Sequence, residues 1–332
     1  MTIPFLIPDS ATPSGGTLYD LRLARAWPGL RIVALPGAWP CPGPAGTRAL
    51  ERALDRVPDG GRVLLDGLVA CALPEVIVPH ARRLRPVVLV HLPLALEGGL
   101  DPDTARDLDI RERRVLESCA AVVATGRWAA DHLGARHGLP EVAVVPPGVA
   151  SAPLAPGTSP GTPPRLLCVA SLTPRKGHRV LFEALRHLTD LDWECVCVGP
   201  GRPPPAPAGV RFTGPLHGAD LDAAYDRADL LVLPSLAETY GMVVTEALAR
   251  GIPVLASDVG GVPEALGGTS RSGTPGMLVP AGSVEEWSRA LRLWLGDPRS
   301  RHRWRVAAHA RRATLRGWDE SAHALRHVLD QV

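Results

Sequence analysis

The chain has 332 residues, 45% of them hydrophobic and 21% charged, with a formal net charge of +2. That length suffices for two α/β domains with separate cores. The near-balanced charge gives no case for a nucleic-acid binder on charge alone, and 34 Gly with 35 Pro, about a fifth of the chain, falls short of a disordered composition.

The N-terminus, MTIPFLIPDS, has no basic region and no long apolar core, so it reads as a first strand rather than a signal peptide. No stretch approaches 18 apolar residues, and no transmembrane helix is expected. Strand and helix then alternate: strands at Ile3–Ile7, Arg31–Leu35, Val63–Leu65, Val87–His91, Ala121–Ala124 and Val142–Val145, and helices at Thr17–Ala26, Thr47–Arg56, Leu73–Leu84, Pro102–Ser118 and Arg127–His137. Such alternation predicts a doubly wound parallel sheet. Pro146 to Pro164, PPGVASAPLAPGTSPGTPP, loses apolar periodicity and reads as a semi-rigid linker.

The alternation restarts with strands Leu166–Ala170, Glu194–Val198 and Val210–Phe212 and helices Gly177–Leu188 and Leu221–Arg227. Next comes LLVLPSLAETYGMVVTEALARGIPVLAS, Leu230 to Ser257. It reads as a buried strand (Leu230–Leu233), a loop, a helix (Gly241–Arg250) and a second strand (Ile252–Ala256), a parallel βαβ unit. Met242, Val243, Leu248 and Ala249 are the expected buried side of that helix. A last strand, Met277–Val279, precedes mostly helical sequence from Val284 to Leu329, with breaks near Pro298 and Gly317.

Ligands of open α/β sheets sit at the carboxyl ends of strands, and several groups cluster in such places. The first strand runs into Pro13-Ser14-Gly15-Gly16-Thr17, a tight turn with free N–H groups. His91 ends an apolar strand; it reads as a structural histidine or a ligand contact. Arg175 and Lys176 precede Gly177 after the first strand of the second half, and they are either solvated charge or a diphosphate clamp. Lys176 is the only lysine in the chain, so a compact ammonium is placed there and nowhere else. Glu238 and Glu246 flank Tyr240, Gly241 and Met242, where a helix N-terminus favours an anion. On one continuous helix those carboxylates would be about 12 Å apart, which suits two ends of an extended ligand.

No G-x-G-x-x-G or P-loop pattern occurs. Asp101/Asp103, Asp107/Asp109, Asp190/Asp192 and Asp220/Asp222 form D-x-D pairs, read as solvated rather than metal-binding. Six cysteines (41, 71, 119, 168, 195 and 197) show no C-x-x-C spacing, which fits buried thiols in a reducing cytoplasm. Arg82, Arg83 and Arg85 form one basic cluster, and Arg299, Arg301, Arg303, Arg305, Arg311, Arg312 and Arg316 another, around Trp304. Each is a solvated face or a site of attraction to an anionic membrane.

Glu238-x7-Glu246 in this setting resembles the signature of retaining glycosyltransferases of family 4 (glycosyl transferases group 1), and the resemblance covers nearly the whole chain. It implies a GT-B fold: two Rossmann-like doubly wound domains facing a cleft. Residues 1–150 would bind acceptor, 151–164 link, and 165–332 bind the nucleotide sugar, with the last helix able to pack back on the first domain. It implies that Glu238 contacts the donor sugar, Glu246 holds the ribose, and the N–H groups near Gly241 take the diphosphate. Gly15 and Gly16 would face donor phosphates and acceptor, and His91 would reach the transferred sugar. Lys176-Gly177 matches the family, but its earlier arginine position is Ser171 here, which leaves Arg175 to supply that charge.

The expected activity is transfer of a hexose-type sugar from a nucleotide diphosphate sugar to an acceptor hydroxyl, with retention. Neither cofactor nor metal is expected. Catalytic roles fall to Glu238, His91, Lys176 and Arg175, and donor binding to Glu246, Tyr240, Gly241, Met242 and Gly16. The expected location is cytoplasmic, with peripheral contact at the inner membrane face through the arginine clusters. Two alternatives stand beside this: a GT-B nucleotide-sugar epimerase, which would need further acid/base carboxylates, and a non-catalytic sugar-nucleotide binder. Sequence alone names no sugar, base, acceptor or oligomeric state.

Overall fold

In the computed structural model the described residues are 2–10, 14–268 and 273–332. Met1, residues 11–13 (Pro13 of the Gly-Gly loop among them) and residues 269–272 lie outside them. The chain divides into two compact units, Met1–Gly148 with Arg316–Val332, and Val149–Leu315.

The first unit carries strands β1 (Ile3–Pro8), β2 (Leu30–Leu35), β3 (Arg62–Asp66), β4 (Arg85–Val90), β5 (Ala121–Ala124) and β6 (Ala143–Val144) in the order β2-β1-β3-β4-β5-β6. Every pairing is parallel. A parallel sheet covered on both faces needs strands apolar on both sides, and β4 (RPVVLV) is buried from Pro86 to Val90. The second unit carries β7 (Arg165–Val169), β8 (Glu194–Val198), β9 (Val210–Gly214), β10 (Leu230–Leu233), β11 (Val254–Ser257) and β12 (Gly276–Val279), in the order β12-β11-β10-β7-β8-β9, again all parallel. Successive residues alternate between its faces. Leu167, Val196, Leu231 and Val254 feed one apolar layer, while Leu166, Cys168, Cys195, Cys197, Leu230 and Leu255 feed the other.

Several expected boundaries move. The helix expected over Leu73–Leu84 is confined to Pro74–His80, because Pro79 lies inside it and cannot continue the hydrogen-bond ladder. Strand β4 ends at Val90, so His91 sits just past it rather than in it. Helix Met242–Ala249 is shorter than expected, and its fully buried residues are Val244, Thr245, Ala247, Leu248 and Ala249. Met242 and Val243 are only half-buried. Glu238 precedes this helix in a loop, so the spacing of about 12 Å along one helix does not apply.

The proline-rich segment is tied down rather than loose. Ala155 N–H donates to the Arg250 carbonyl at 2.9 Å and Gly157 N–H to that of Asp226 at 2.9 Å. The Asp229 carboxylate accepts from Thr158 N–H, the Thr158 hydroxyl and Arg165 N–H.

The C-terminal helices break where proline and glycine stand. Asp297 caps Pro298–Arg312 by accepting from Arg299 N–H and Ser300 N–H. Helix Trp318–Asp330 then belongs to the first unit, where the Trp318 ring meets Tyr19 edge-on at 5.4 Å and the Ser321 hydroxyl donates to the Pro146 carbonyl. Much of the arginine content serves the fold. Arg312 donates to the carbonyls of Ala249 and Ala152, Arg311 to that of Leu266, and Arg83 to those of Val57 and Leu54.

Candidate functional site

In the second unit, the loops after β7 and β10 meet at the carboxyl edge of the sheet. Leu236 N–H donates to the Arg175 carbonyl at 2.7 Å, which joins them. Gly177 makes that approach possible: its φ is +66°, and a Cβ there would lie 1.9 Å from the Pro234 carbonyl oxygen. Across the junction Lys176 Nζ donates to both carboxylate oxygens of Glu238, at 2.9 and 2.6 Å. Arg175 Nη1 donates to the Ala237 carbonyl at 3.0 Å and lies 3.6 Å from Glu238 Oε2. The Lys176 and Glu238 side chains are 14% and 13% exposed, so the pair is sheltered yet open to a ligand.

Beyond this pair, Gly241 (φ +88°) starts helix Met242–Ala249, and no side chain caps that N-terminus. The Tyr240 ring is buried in the apolar layer with Leu233 and Val244, so what it can offer a ligand comes from its backbone. One turn into the helix, Glu246 Oε2 accepts from the Tyr225 hydroxyl at 2.9 Å. Tyr225 is itself buried beneath the Arg250 guanidinium, 4.5 Å from its ring centroid, which fixes the Glu246 carboxylate in orientation.

In the first unit His91 is the centre. Its ring packs on Gly16, where a Cβ would come within 2.9 Å of His91 Cδ2, and the Tyr19 ring meets it edge-on at 5.0 Å. Gly15 and Gly16 open helix Gly15–Ala26, capped by the Ser14 hydroxyl accepting from Thr17 N–H. His91 Nε2 is hydrogen-bonded with Asp20 Oδ1 at 2.8 Å and lies 3.5 Å from Asp66 Oδ2. No motif points to Asp20 or Asp66. The available signal for Asp20 was an acid among Thr17, Tyr19 and Leu23 on the buried side of a helix.

Burial raises the Asp20 carboxyl well above the usual range. Burial, and then the charge of Asp20, pushes Asp66 up to about 8. Burial lowers His91, with Asp66 acting the other way. Asp20 Oδ2 is buried without a hydrogen-bond partner, and a proton shared by the two raised carboxyls would give it one. The stability consequence has a definite sign. An unfolded Asp66 loses its proton near pH 4, while the folded one holds it to about 8, so this group's contribution is full below pH 4 and lost as pH rises to about 8. Asp66→Asn keeps a neutral acceptor for Leu68 N–H and should lose less melting temperature than the parent between pH 5 and 9. Parallel melting curves across that range would contradict the shared proton.

Among the described residues two groups have ligand atoms close enough to hold a metal ion: Asp20, Asp66 and His91, and Cys168, His178 and Cys197. None of the D-x-D pairs belongs to either. Asp101 caps a helix, Asp109 pairs with Arg136, Asp190 with Arg292 and Asp222 with Arg250. A cavity of about 360 Å³ lined by Thr158, Asp229, Pro253, Arg301 and Arg305 lies elsewhere. Pro164, Asp229 and Pro253 immediately precede β7, β10 and β11, so this cavity opens at the amino edge of the sheet, away from Glu238.

Residues 163–297 match the family model described as glycosyl transferases group 1. The chain is similar to the D-inositol 3-phosphate glycosyltransferase of Streptomyces bingchenggensis, 33% identical over an alignment of 267 positions that covers 70% of this chain and 57% of that protein. It is similar also to the protein of that name from Pseudarthrobacter chlorophenolicus, 30% identical over 257 residues, 69% of this chain and 60% of the other. The chain spans three-fifths or less of the length of these relatives. Among solved structures it superposes on sucrose-phosphate synthase from Thermosynechococcus elongatus with a TM-score of 0.81 at 18% identity, covering 99% and 98% of the two chains. Anabaena Alr3699/HepE in complex with UDP-glucose gives 0.78 at 17% identity and full coverage of both. At such identity the likeness is one of fold, the two-unit α/β arrangement of GT-B glycosyltransferase structures.

Proposed function

We propose that this chain is a retaining glycosyltransferase of family 4 that moves a hexose-type sugar from a nucleotide diphosphate sugar to an acceptor hydroxyl without a metal. The observation that carries the proposal is Lys176 bridging both oxygens of Glu238 beside Arg175, within the segment that matches the glycosyl transferases group 1 model. In this reading the second unit binds the donor and the first the acceptor. The curated relatives named for transfer to an inositol phosphate, and the neighbour solved with UDP-glucose, support that class of substrates.

The chemistry follows from charge. Departure of a nucleoside diphosphate builds negative charge on the leaving oxygen. Lys176, Arg175 and the N–H groups at the start of helix Met242–Ala249 would meet it in place of a metal ion. An arriving diphosphate competes with Glu238 for the Lys176 ammonium. The carboxylate released from that pair is then available to the sugar hydroxyls, so donor binding itself prepares Glu238. Glu246, oriented by Tyr225, would accept from the two ribose hydroxyls. His91, held by Asp20, would orient the sugar, and the Gly15–Gly16 turn would face substrate at the first unit, with Gly16 leaving room for the His91 ring. An oxocarbenium-like sugar held on one face, with the leaving phosphate taking the acceptor's proton, gives retention without a dedicated base.

The test is a panel of UDP-, GDP- and ADP-sugars, with D-inositol 3-phosphate among the acceptors and product anomers assigned by NMR. The expected result is nucleoside diphosphate release that depends on acceptor and persists in EDTA. Glu246→Ala should raise the donor KM with little change in kcat, since a ribose contact is present in ground and transition states alike. An unchanged donor KM would remove Glu246 from the ribose.

One observation favours a second reading, the nucleotide-sugar epimerase: the Asp20–Asp66 pair supplies carboxyls beside His91. Isomerised donor in the same panel, without acceptor, would decide for it. Binding without turnover would leave only a sugar-nucleotide binder. Peripheral contact with an anionic membrane has weaker support, because Arg83, Arg311 and Arg312 are bonded to carbonyls of their own unit. Among the described residues no helix is long and apolar enough to cross a membrane.

A further inference from the structure

The second cluster of ligand-type side chains lies under the donor loop and plays no part in the chemistry above. Cys168 on β7 and Cys197 on β8 stand directly opposite each other in the strand register. Both therefore project from the same face of the sheet, and Cys195, two residues before Cys197, shares that face. Cys168, Cys195 and Cys197 are buried together in one apolar layer of the second unit. Over them lies helix His178–Arg186, whose first residue brings its imidazole down onto the thiols. His178 Nε2 is 3.6 Å from Cys168 Sγ. Cys168, Cys195, Cys197 and His178 are all at most 3% exposed.

We infer that Cys168, Cys197 and His178 form a structural site for a thiophilic divalent metal, Zn²⁺ in particular, with Cys195, on the same face of the sheet, as the candidate fourth ligand. The ligand atoms of the three residues all lie within 4.8 Å of one another. Tetrahedral zinc with bonds of about 2.3 Å to sulfur and 2.05 Å to nitrogen sets its ligand atoms about 3.8 Å apart for two sulfurs and about 3.6 Å for sulfur and nitrogen. The Cys168–His178 separation already has that value. Strand register already sets Cys168 beside Cys197, so the remaining contacts call for rotation of the thiols about their Cα–Cβ bonds.

The donor set decides the class of metal. Thiolate with imidazole selects zinc and its soft neighbours over magnesium, calcium or manganese. Each ligating thiol releases its proton to solvent as the metal enters, so binding tightens as pH rises. A buried, closed ligand set suits a structural ion rather than one that carries substrate. Its position gives it a task. The ion would tie the ends of β7 and β8 to the start of helix His178–Arg186, directly after Arg175, Lys176 and Gly177. A filled site would therefore hold the donor loop from below.

The experiment needs no assumption about the transferase. Chelator-treated full chain is refolded with Zn²⁺ or with Co²⁺ as a spectroscopic probe, then dialysed. The expected result is one metal ion per chain, a thiolate-to-Co²⁺ charge-transfer band with the strong visible bands of a four-coordinate ion, and a higher melting temperature. Cys168→Ser and Cys197→Ser should weaken binding by at least about tenfold, the smaller end of what losing even an outer partner of a metal ligand costs. Cys119→Ser, whose thiol only bonds the Val115 carbonyl, should bind as the parent does. Metal content well below one per chain, a Co²⁺ spectrum without sulfur ligation, or equal binding by Cys168→Ser would each overturn the site. If the serine variants do not fold, the sulfur count in the parent's Co²⁺ spectrum decides alone. EDTA resistance of turnover is a separate matter, because it reports on the diphosphate and not on this buried cluster.

Discussion

Lys176→Ala is expected to lower kcat by about a hundredfold, the effect of removing one preorganised group worth roughly 3 kcal/mol to a developing oxyanion. The same change is expected to lower the melting temperature only modestly. Lys176 and Glu238 form a bidentate pair, but both are partly exposed and Arg175 remains 3.6 Å from the carboxylate, so the loss in stability should be about 1 kcal/mol. Lys176→Arg should recover part of the rate, because a planar fork cannot reproduce a point charge held between two oxygens. If the pair works as a unit, Lys176→Ala with Glu238→Ala should lose far less than the product of the single losses. A large fall in melting temperature with near-normal kcat would return Lys176 to a purely structural role.

Gly177→Ala should be more damaging to the fold than any other alanine substitution at the donor loop. The left-handed φ of +66° alone costs an alanine about 1–2 kcal/mol. Its Cβ would also fall 1.9 Å from a backbone oxygen, and no flexible side chain is there to move aside. A total of about 3 kcal/mol or more corresponds to a drop of roughly 6–12 °C for a unit of this size. Relief of the clash would part the loop of Arg175 and Lys176 from that of Glu238, so donor KM should rise as well. Gly218→Ala is the control, since Gly218 has φ +51° and open space around its would-be Cβ. Equal losses at the two glycines would mean that dihedral strain, not the close approach to Pro234, sets the need for glycine.

These two residues also mark what the sequence could show. Strands were legible because buried parallel strands are continuous apolar runs, and loop positions followed from them. Lys176, Gly177, Glu238 and Glu246 could be placed at the carboxyl edge on that ground. Their pairing could not, because residues 176 and 238 meet only once two strands far apart in sequence lie side by side. Asp20 and Asp66 were hidden for the same reason. Each is one acid in an unremarkable element, and its burial against His91 depends on β1, β3 and β4 being neighbours. On helix Met242–Ala249 the sequence places Leu248 and Ala249 on the buried side correctly but adds Met242 and Val243, because nearly every residue there is apolar or small and periodicity gives no direction.

The return of helix Trp318–Asp330 to the first unit bears on the order in which the chain can be completed during synthesis. The second unit is contiguous, Val149–Leu315, whereas the first is assembled from two segments that lie on either side of it in sequence. The first unit, though begun earlier, lacks the Trp318 ring that backs Tyr19 and the Ser321 hydroxyl that holds Pro146 until the segment after the second unit has been made. The unit begun earlier of the two is thus the one closed later. A stop codon near residue 316 would leave the second unit whole and damage the first.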